Sequence, residues 1–265
     1  GTSTIQSLGV EVSGLEQTDG SGFKVASFNI KPINGSAKNS SAETTFTFDG
    51  IEILEAEYLG SSGYQISSLE AGKFNLESTG DASRFGIDLN SFEGENLYSP
   101  NLNDPNSSIL PKKPVTFEIG EAEFRNNGSR VAGWDIATGE SKANASANTI
   151  LSEALLKNLY VDLRQIPVTR QNKRALDTIK ELGYDQLEMN ISANGSWNLT
   201  SGELALDSYR TDIKNALALD LSLKLAGYTE ELARRISSLT NQMNSATDPQ
   251  ERGRQSIQIV AELSS

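Results

Sequence analysis

The sequence predicts an α+β protein: a twisted antiparallel β-sheet, or two, with amphipathic helices covering one apolar face and lying mainly in the C-terminal half. Three observations carry that expectation. Apolar residues in the first 145 positions come in short runs that alternate with polar ones. One stretch near residue 220 places a leucine at every second position. Several later segments repeat their apolar residues at helical spacing.

The first region, 1–145, is dense in Gly, Ser, Asn and Thr. Phe46 and Phe48 flank Thr47, Ile51 and Ile53 flank Glu52, and Phe74 and Leu76 flank Asn75. Phe85, Ile87 and Leu89 alternate with Gly86 and Asp88, and Val115, Phe117 and Ile119 with Thr116 and Glu118. Period two with a polar second face is the pattern of a half-buried antiparallel strand. Gly60-Ser61-Ser62-Gly63 and Asn127-Gly128-Ser129 mark turns. Leu69-Glu70-Ala71-Gly72 and Phe117-Glu118-Ile119-Gly120 share one pattern and suggest repeated units of a β-meander. Ser99 to Pro114 holds four of the seven prolines and reads as a long exposed loop.

The second region, 146–228, mixes helices and strands and is expected to continue the first. Thr149 to Leu159 carries Ile150, Leu151, Ala154, Leu155 and Leu159 at helical spacing. Asn172 to Leu182 does the same with Ala175, Leu176, Ile179 and Leu182, and Gly183 stops it. Leu187, Met189, Ile191 and Ala193 then alternate as a strand, Asn194-Gly195 signals a hairpin turn, and Trp197 and Leu199 continue beyond it. Leu217, Leu219, Leu221, Leu223 and Leu225 alternate with Ala218, Asp220, Ser222 and Lys224. A helix would scatter these leucines around its circumference, whereas a strand sets all five on one face.

The third region, 229–265, is a helical pair. Leu232, Ile236, Leu239 and Met243 form one stripe, with Glu230 and Glu231 in the first turn. Asp248, Pro249 and Glu251 open the second helix, whose apolar face includes Ile257, Val260 and Leu263.

Burying one leucine side chain contributes about 2 kcal/mol, so five on one strand carry on the order of 10 kcal/mol of gross driving force. That equals the net stability of an ordinary domain. Such a face calls for a cover. Helices above it would make it core; an acyl chain along it would make it a groove. Core is the expectation.

Composition excludes several function classes. Lys+Arg is 23 against Asp+Glu 35, a net charge of −12, which opposes phosphate-driven nucleic-acid binding and docking on anionic lipid. Cysteine and histidine are both absent. Thiol nucleophiles, thiolate or imidazole metal sites and histidine triads are therefore excluded. No apolar run reaches the length of a membrane-spanning helix. The chain begins Gly-Thr-Ser and stops within a helical pattern, as expected of part of a longer protein whose signal or anchor would lie upstream.

The segment from Leu182 to Tyr228 resembles the C-terminal region of AsmA-like and YdgA-like bacterial envelope proteins. The residues that carry the resemblance are Leu182-Gly183-Tyr184-Asp185-Gln186-Leu187, Trp197-Asn198-Leu199, Gly202-Glu203-Leu204-Ala205-Leu206-Asp207 and Asn215 to Leu223. It covers about 47 residues and rests on texture, without an invariant motif. It implies a helix, a strand, a hairpin and a long strand ending at a glycine. It also implies an exported protein on the periplasmic side of a Gram-negative envelope, concerned with envelope organisation or lipid handling. It transfers no catalytic residue.

Other candidate sites carry plainer readings. Glu52, Glu55 and Glu57, and Glu93 and Glu95, are the carboxylate clusters from which a glycosidase pair would come, but among 35 acidic residues they read as solvated strand faces. Ser152 with Lys157 is a weak dyad, and the oxygen-rich run Asn101 to Asn106 lacks the spacing of a calcium loop. Eight Asn-x-Ser/Thr sequons (Asn34, Asn39, Asn106, Asn127, Asn144, Asn190, Asn194 and Asn198) follow from a Ser- and Asn-rich composition. Arg164, Arg170, Lys173 and Arg174 around Pro167 form a basic cluster expected at a solvated helix start, and Trp134 and Trp197 are expected as core anchors. The functional expectation is a non-enzymatic, exported envelope protein with a structural or lipid-associated role, no cofactor, and lipid or another envelope protein as partner. The alternative is a cell-surface adhesin or carbohydrate-binding β-domain.

Overall fold

The computed structural model describes residues 1–7, 9–18, 22–59, 63–81, 83–166 and 168–263. Nineteen strand segments assemble into one antiparallel meander of eleven passes. The first pass is β1 (Thr2–Ser7), β2 (Val10–Ser13) and β3 (Glu16–Gln17). Six passes of two segments follow: β4 (Phe23–Ile30) with β5 (Ile33–Lys38), β6 (Ala42–Phe48) with β7 (Ile51–Tyr58), β8 (Gly63–Ala71) with β9 (Phe74–Gly80), β10 (Arg84–Leu89) with β11 (Phe92–Pro100), β12 (Val115–Ile119) with β13 (Ala122–Asn126), and β14 (Ser129–Trp134) with β15 (Ile136–Asn144). Four unbroken passes complete the sheet: β16 (Thr149–Asp162), β17 (Gln186–Asn198), β18 (Leu204–Ile213) and β19 (Ala218–Leu225). Each pass pairs with its neighbours in the chain, so the sheet is open, with β1–β3 at one edge and β19 at the other.

The breaks inside the passes do not interrupt the ladder. Ile30 faces Ile51 and Ile33 faces Phe48, which is one register across the break. Backbone hydrogen bonds bridge it, from Lys31 N to Gly9 O (3.0 Å), Asp49 N to Lys73 O (2.9 Å), Asn90 N to Glu121 O (2.9 Å) and Asp135 N to Lys157 O (3.1 Å). β17 has no such break, and the β16–β17 register slips by one residue between Leu156 and Leu159. Passes two to eight therefore each hold one residue more than β17 at this level, a stack of β-bulges across the sheet. Asn158, in the β16 bulge, has the left-handed φ of 53° that a bulge needs.

The bulges explain the sequence spacing. Without them, a strand keeps one face with residues two apart. With them, the same face is kept by pairs three apart: Ile30/Ile33, Phe48/Ile51, Ala71/Phe74, Leu89/Phe92, Ile119/Ala122, Trp134/Ala137 and Leu156/Leu159. All lie in register with the odd-numbered face of β17, on which Leu187, Met189, Ile191 and Ala193 follow one another without a break.

Four expectations are corrected here. Thr149 to Leu159 is not a helix but most of β16, because its bulge and two leucines on the opposite face, Leu151 and Leu155, imitate a helical period. Asn194-Gly195 is not a hairpin turn; β17 runs through it, and β18 bulges opposite. A side chain at Gly195 would meet Ala205 O at 2.8 Å, so close strand approach accounts for the glycine. The Ser99–Pro114 loop is not simply exposed: Ser107 and Ile109 within it are buried. Finally, the helices do not cover the leucine face. Leu217 lies just before β19, and all five leucines are 44–56% exposed. The turn at Asn127-Gly128 is as expected, whereas Gly60 to Ser62 and Pro167 lie outside the described residues.

α1 (Lys173–Glu181), α2 (Glu230–Ser245) and α3 (Pro249–Leu263) sit close to the predicted positions. Thr229 Oγ1 caps α2 by accepting from Leu232 N (3.2 Å). Glu230 N donates to Leu199 O (3.0 Å), which ties α2 to the turn between β17 and β18. Buried Ala233, Leu239, Leu199 and Ile109 mark a small core where α2 meets that turn and the 101–114 loop. α3 packs on α2, with Arg235 paired to Glu262 (2.8 Å), and leaves Ile257, Val260 and Leu263 exposed.

Candidate functional site

The largest feature of the sheet is its apolar face. Directly opposed residues in an antiparallel ladder share a face, so the register lines them up across the strands. One row runs Val10, Ile30, Ile51, Ala71, Phe92, Ile119, Ala137, Leu156, Ile191, Thr211 and Leu219. The next runs Val12, Phe28, Ile53, Leu69, Gly94, Phe117, Gly139, Ala154, Ala193, Tyr209 and Leu221. Each crosses all eleven passes and holds no charged side chain.

This face is open. Val10, Val12, Phe85 and Phe117 are exposed on it together with the leucines of β19. The accessible surface is 16301 Å². A compact monomer of this mass exposes about 11,000 Å². The surface is larger than that of a globule by roughly 5,000 Å². Trp197 marks one end of the face, its Nε1 donating to Tyr228 O (2.6 Å) and its ring 5.4 Å from that of Tyr228. Trp134 is anchored to Gly120 O (3.1 Å).

The opposite face is acidic. Glu52, Glu70, Glu93 and Glu118 stand directly opposite one another on four successive passes, and Glu140 faces Glu153 one row on. Like charges so placed repel, at a cost of a few tenths to about 1 kcal/mol a pair. Glu93, Glu95, Glu118, Glu140 and Glu153 line a shallow depression of about 600 Å³. Among the described residues no group of acidic side chains has the geometry to hold a metal ion. The other half of this face is balanced instead: Arg125 pairs with Asp88 (2.5 Å), Glu77 (3.5 Å) and Glu123 (3.7 Å), and Arg84 with Glu77 (2.9 Å).

The sequence-flagged residues fall as follows. Glu52 and Glu93 are brought into one row through Glu70, a link that local sequence did not signal. Glu55 leaves the row and accepts from Ser67 Oγ (3.0 Å). Ser152 is not joined to Lys157; its hydroxyl meets Ser141 Oγ (2.8 Å), and Lys157 lies in the bulge row. The oxygen-rich loop holds a cation of its own: Arg234 donates to the carbonyls of Leu102 (3.3 Å), Asp104 (2.8 Å) and Ser107, and to Glu230 (2.9 Å). Several sequon asparagines cap turns; Asn39 accepts from Ser41 N and Ala42 N, and Asn198 from Thr200 N and Ser201 N. In the basic cluster, Arg164 forks onto buried Asp162 (2.9 and 2.7 Å) and Lys173 pairs with Asp177 (2.7 Å). The Arg164 hydrogen bonds hold the Asp162 carboxyl below its ordinary pKa against the opposing effect of burial.

A scan of protein-family models, a search of curated proteins and a search of solved structures each find no match to this chain.

Proposed function

We propose that this is a non-catalytic lipid-associated protein of the bacterial envelope, whose open apolar sheet face accommodates acyl chains. The observation that carries the reading is the pair of uncharged rows crossing all eleven passes, half-buried through the middle and with Val10, Val12, Phe117, Leu219 and Leu221 left exposed. An acyl chain is long, flexible and without hydrogen-bonding groups, and it needs only apolar contact along its length. The acidic opposite face keeps the sheet soluble and repels anionic headgroups from that side. No helix among the described residues is long and apolar enough to cross a membrane. The envelope location rests on the resemblance of Leu182 to Tyr228 alone and is tested by finding the protein in the exported fraction of its host.

The binding test uses native mass spectrometry after gentle purification, followed by titration of the lipid-stripped protein with a fluorescent long-chain fatty acid. Bound lipid and saturable uptake are expected. Phe117→Asp and Leu221→Asp lie in one row, on exposed positions, and together should weaken uptake at least tenfold. A lipid-free mass with no uptake, or uptake indifferent to both substitutions, overturns the reading.

A further inference from the structure

An edge strand offers a row of unpaired backbone N–H and C=O groups, and soluble proteins defend such edges with glycine kinks, proline, bulges or added charge. The β1–β3 edge is defended: Gly9 and Gly14 break it with left-handed φ values of 111° and 62°, and Glu11 is paired with Lys31 (2.9 Å). β19 is not. It runs eight residues without glycine or proline, its β18 partner rather than itself carries the bulge, and every residue in it is exposed. Its charges are Asp220 and Lys224, both on the face opposite the leucines.

Those two charges select a partner. If a second β19 approaches antiparallel with Ser222 opposite Ser222, Asp220 falls opposite Lys224 and Lys224 opposite Asp220. Leu221 then faces Leu223 and Leu219 faces Leu225. Moving the register by two residues either way sets each charge opposite an uncharged residue, and moving it by four sets Asp220 against Asp220 or Lys224 against Lys224. A one-residue slip puts leucines opposite polar side chains on the wrong face. The register that matches the charges also overlaps the two strands almost completely. Asp220 is available for this: its partner in the chain is Ser208 Oγ at 3.5 Å, and Arg210, directly across the ladder, is forked onto Asp212 (2.8 and 2.9 Å). Lys224 reaches the exposed Glu203 (3.1 Å).

We infer that two copies of this chain join through β19, antiparallel, about a twofold axis at Ser222. The contact is isologous and closes at two. Because the axis stands perpendicular to the sheet, the leucines of both copies lie on one side, and the two apolar faces become one. The inference stands on the edge strand and does not depend on what that face binds.

The chain has no cysteine, so a single introduced one reports the register. Residues directly opposite in a ladder have Cβ atoms about 4.5–5.5 Å apart. Ser222→Cys should cross-link to a covalent dimer under mild oxidation, whereas Asp220→Cys, well off the axis, should not. In sedimentation equilibrium the protein should weigh twice 28.6 kDa. Asp220→Lys and Lys224→Glu should each weaken the dimer at least tenfold. The double variant should restore it, and an equimolar mixture of the two single variants should form heterodimers. A monomer at all concentrations, a dimer indifferent to both reversals, cross-linking at 220 as readily as at 222, or a ladder of higher oligomers as expected from β19 pairing with the β1–β3 edge would each overturn the inference.

Discussion

Arg234 joins parts of the chain about 130 residues apart. Its guanidinium is mostly buried and satisfies three loop carbonyls that would otherwise lose water without gaining a donor. The planar fork matters as much as the charge, since a lysine ammonium cannot point donors at the same set of oxygens. Arg234→Lys should therefore cost about 1.5–3 kcal/mol locally. Hydrogen exchange in residues 101–110 and α2 should accelerate roughly ten- to hundredfold while β16 and β17 stay protected. Uniform acceleration would mean that the loop and helix are not a separate cooperative unit. The run Asn101 to Asn106 reads in the sequence as a polar loop without the spacing of a calcium site, and nothing local in a helical Glu-x-x-x-Arg pattern marks Arg234 as the cation that fills it.

At the level of elements, legibility follows the bulges. β19 is regular, and its alternation is plain in the sequence. β16 carries a bulge and leucines on both faces, and the same alternation logic reads it as a helix. The Asn194-Gly195 pair has the chemistry of a turn, yet it serves a close approach between strands. α1 and α2 are legible because their apolar stripes and stop or cap residues agree. The bulge stack places demands on single glycines. Gly50 has φ of 107°, and a Cβ there would sit 2.2 Å from Ile30 O. Gly50→Ala should cost about 2–4 kcal/mol through strain and strand displacement. Gly128 has φ of 79° in open space, so Gly128→Ala carries the conformational strain alone, about 1 kcal/mol. Thermal denaturation of the two variants compares them directly. Equal losses would show that the bulge row tolerates displacement and does not fix the ladder.

Across the whole molecule, what the sequence conveyed was the need for a cover, and what it did not convey was that the chain's own helices leave the leucine face exposed. Leu219 to Leu225 demand burial wherever they are, but a one-dimensional pattern does not say whether α2 and α3 are near enough to supply it. α2 is committed to the 101–114 loop and α3 to α2, so neither is free to lie on β19. A compact chain of 265 residues has a radius of gyration of about 18 Å. An open eleven-pass sheet must exceed that, because its mass is spread across one layer and its surface is nearly half again that of a globule. Small-angle scattering on Lys224→Glu separates this effect from edge pairing, since that variant is expected to remain a monomer. A radius clearly above 18 Å for the monomer is the expected result. A value at 18 Å would mean that the sheet closes on itself in solution, that the leucines are sealed by the chain's own strands, and that no apolar surface is left for a lipid to occupy.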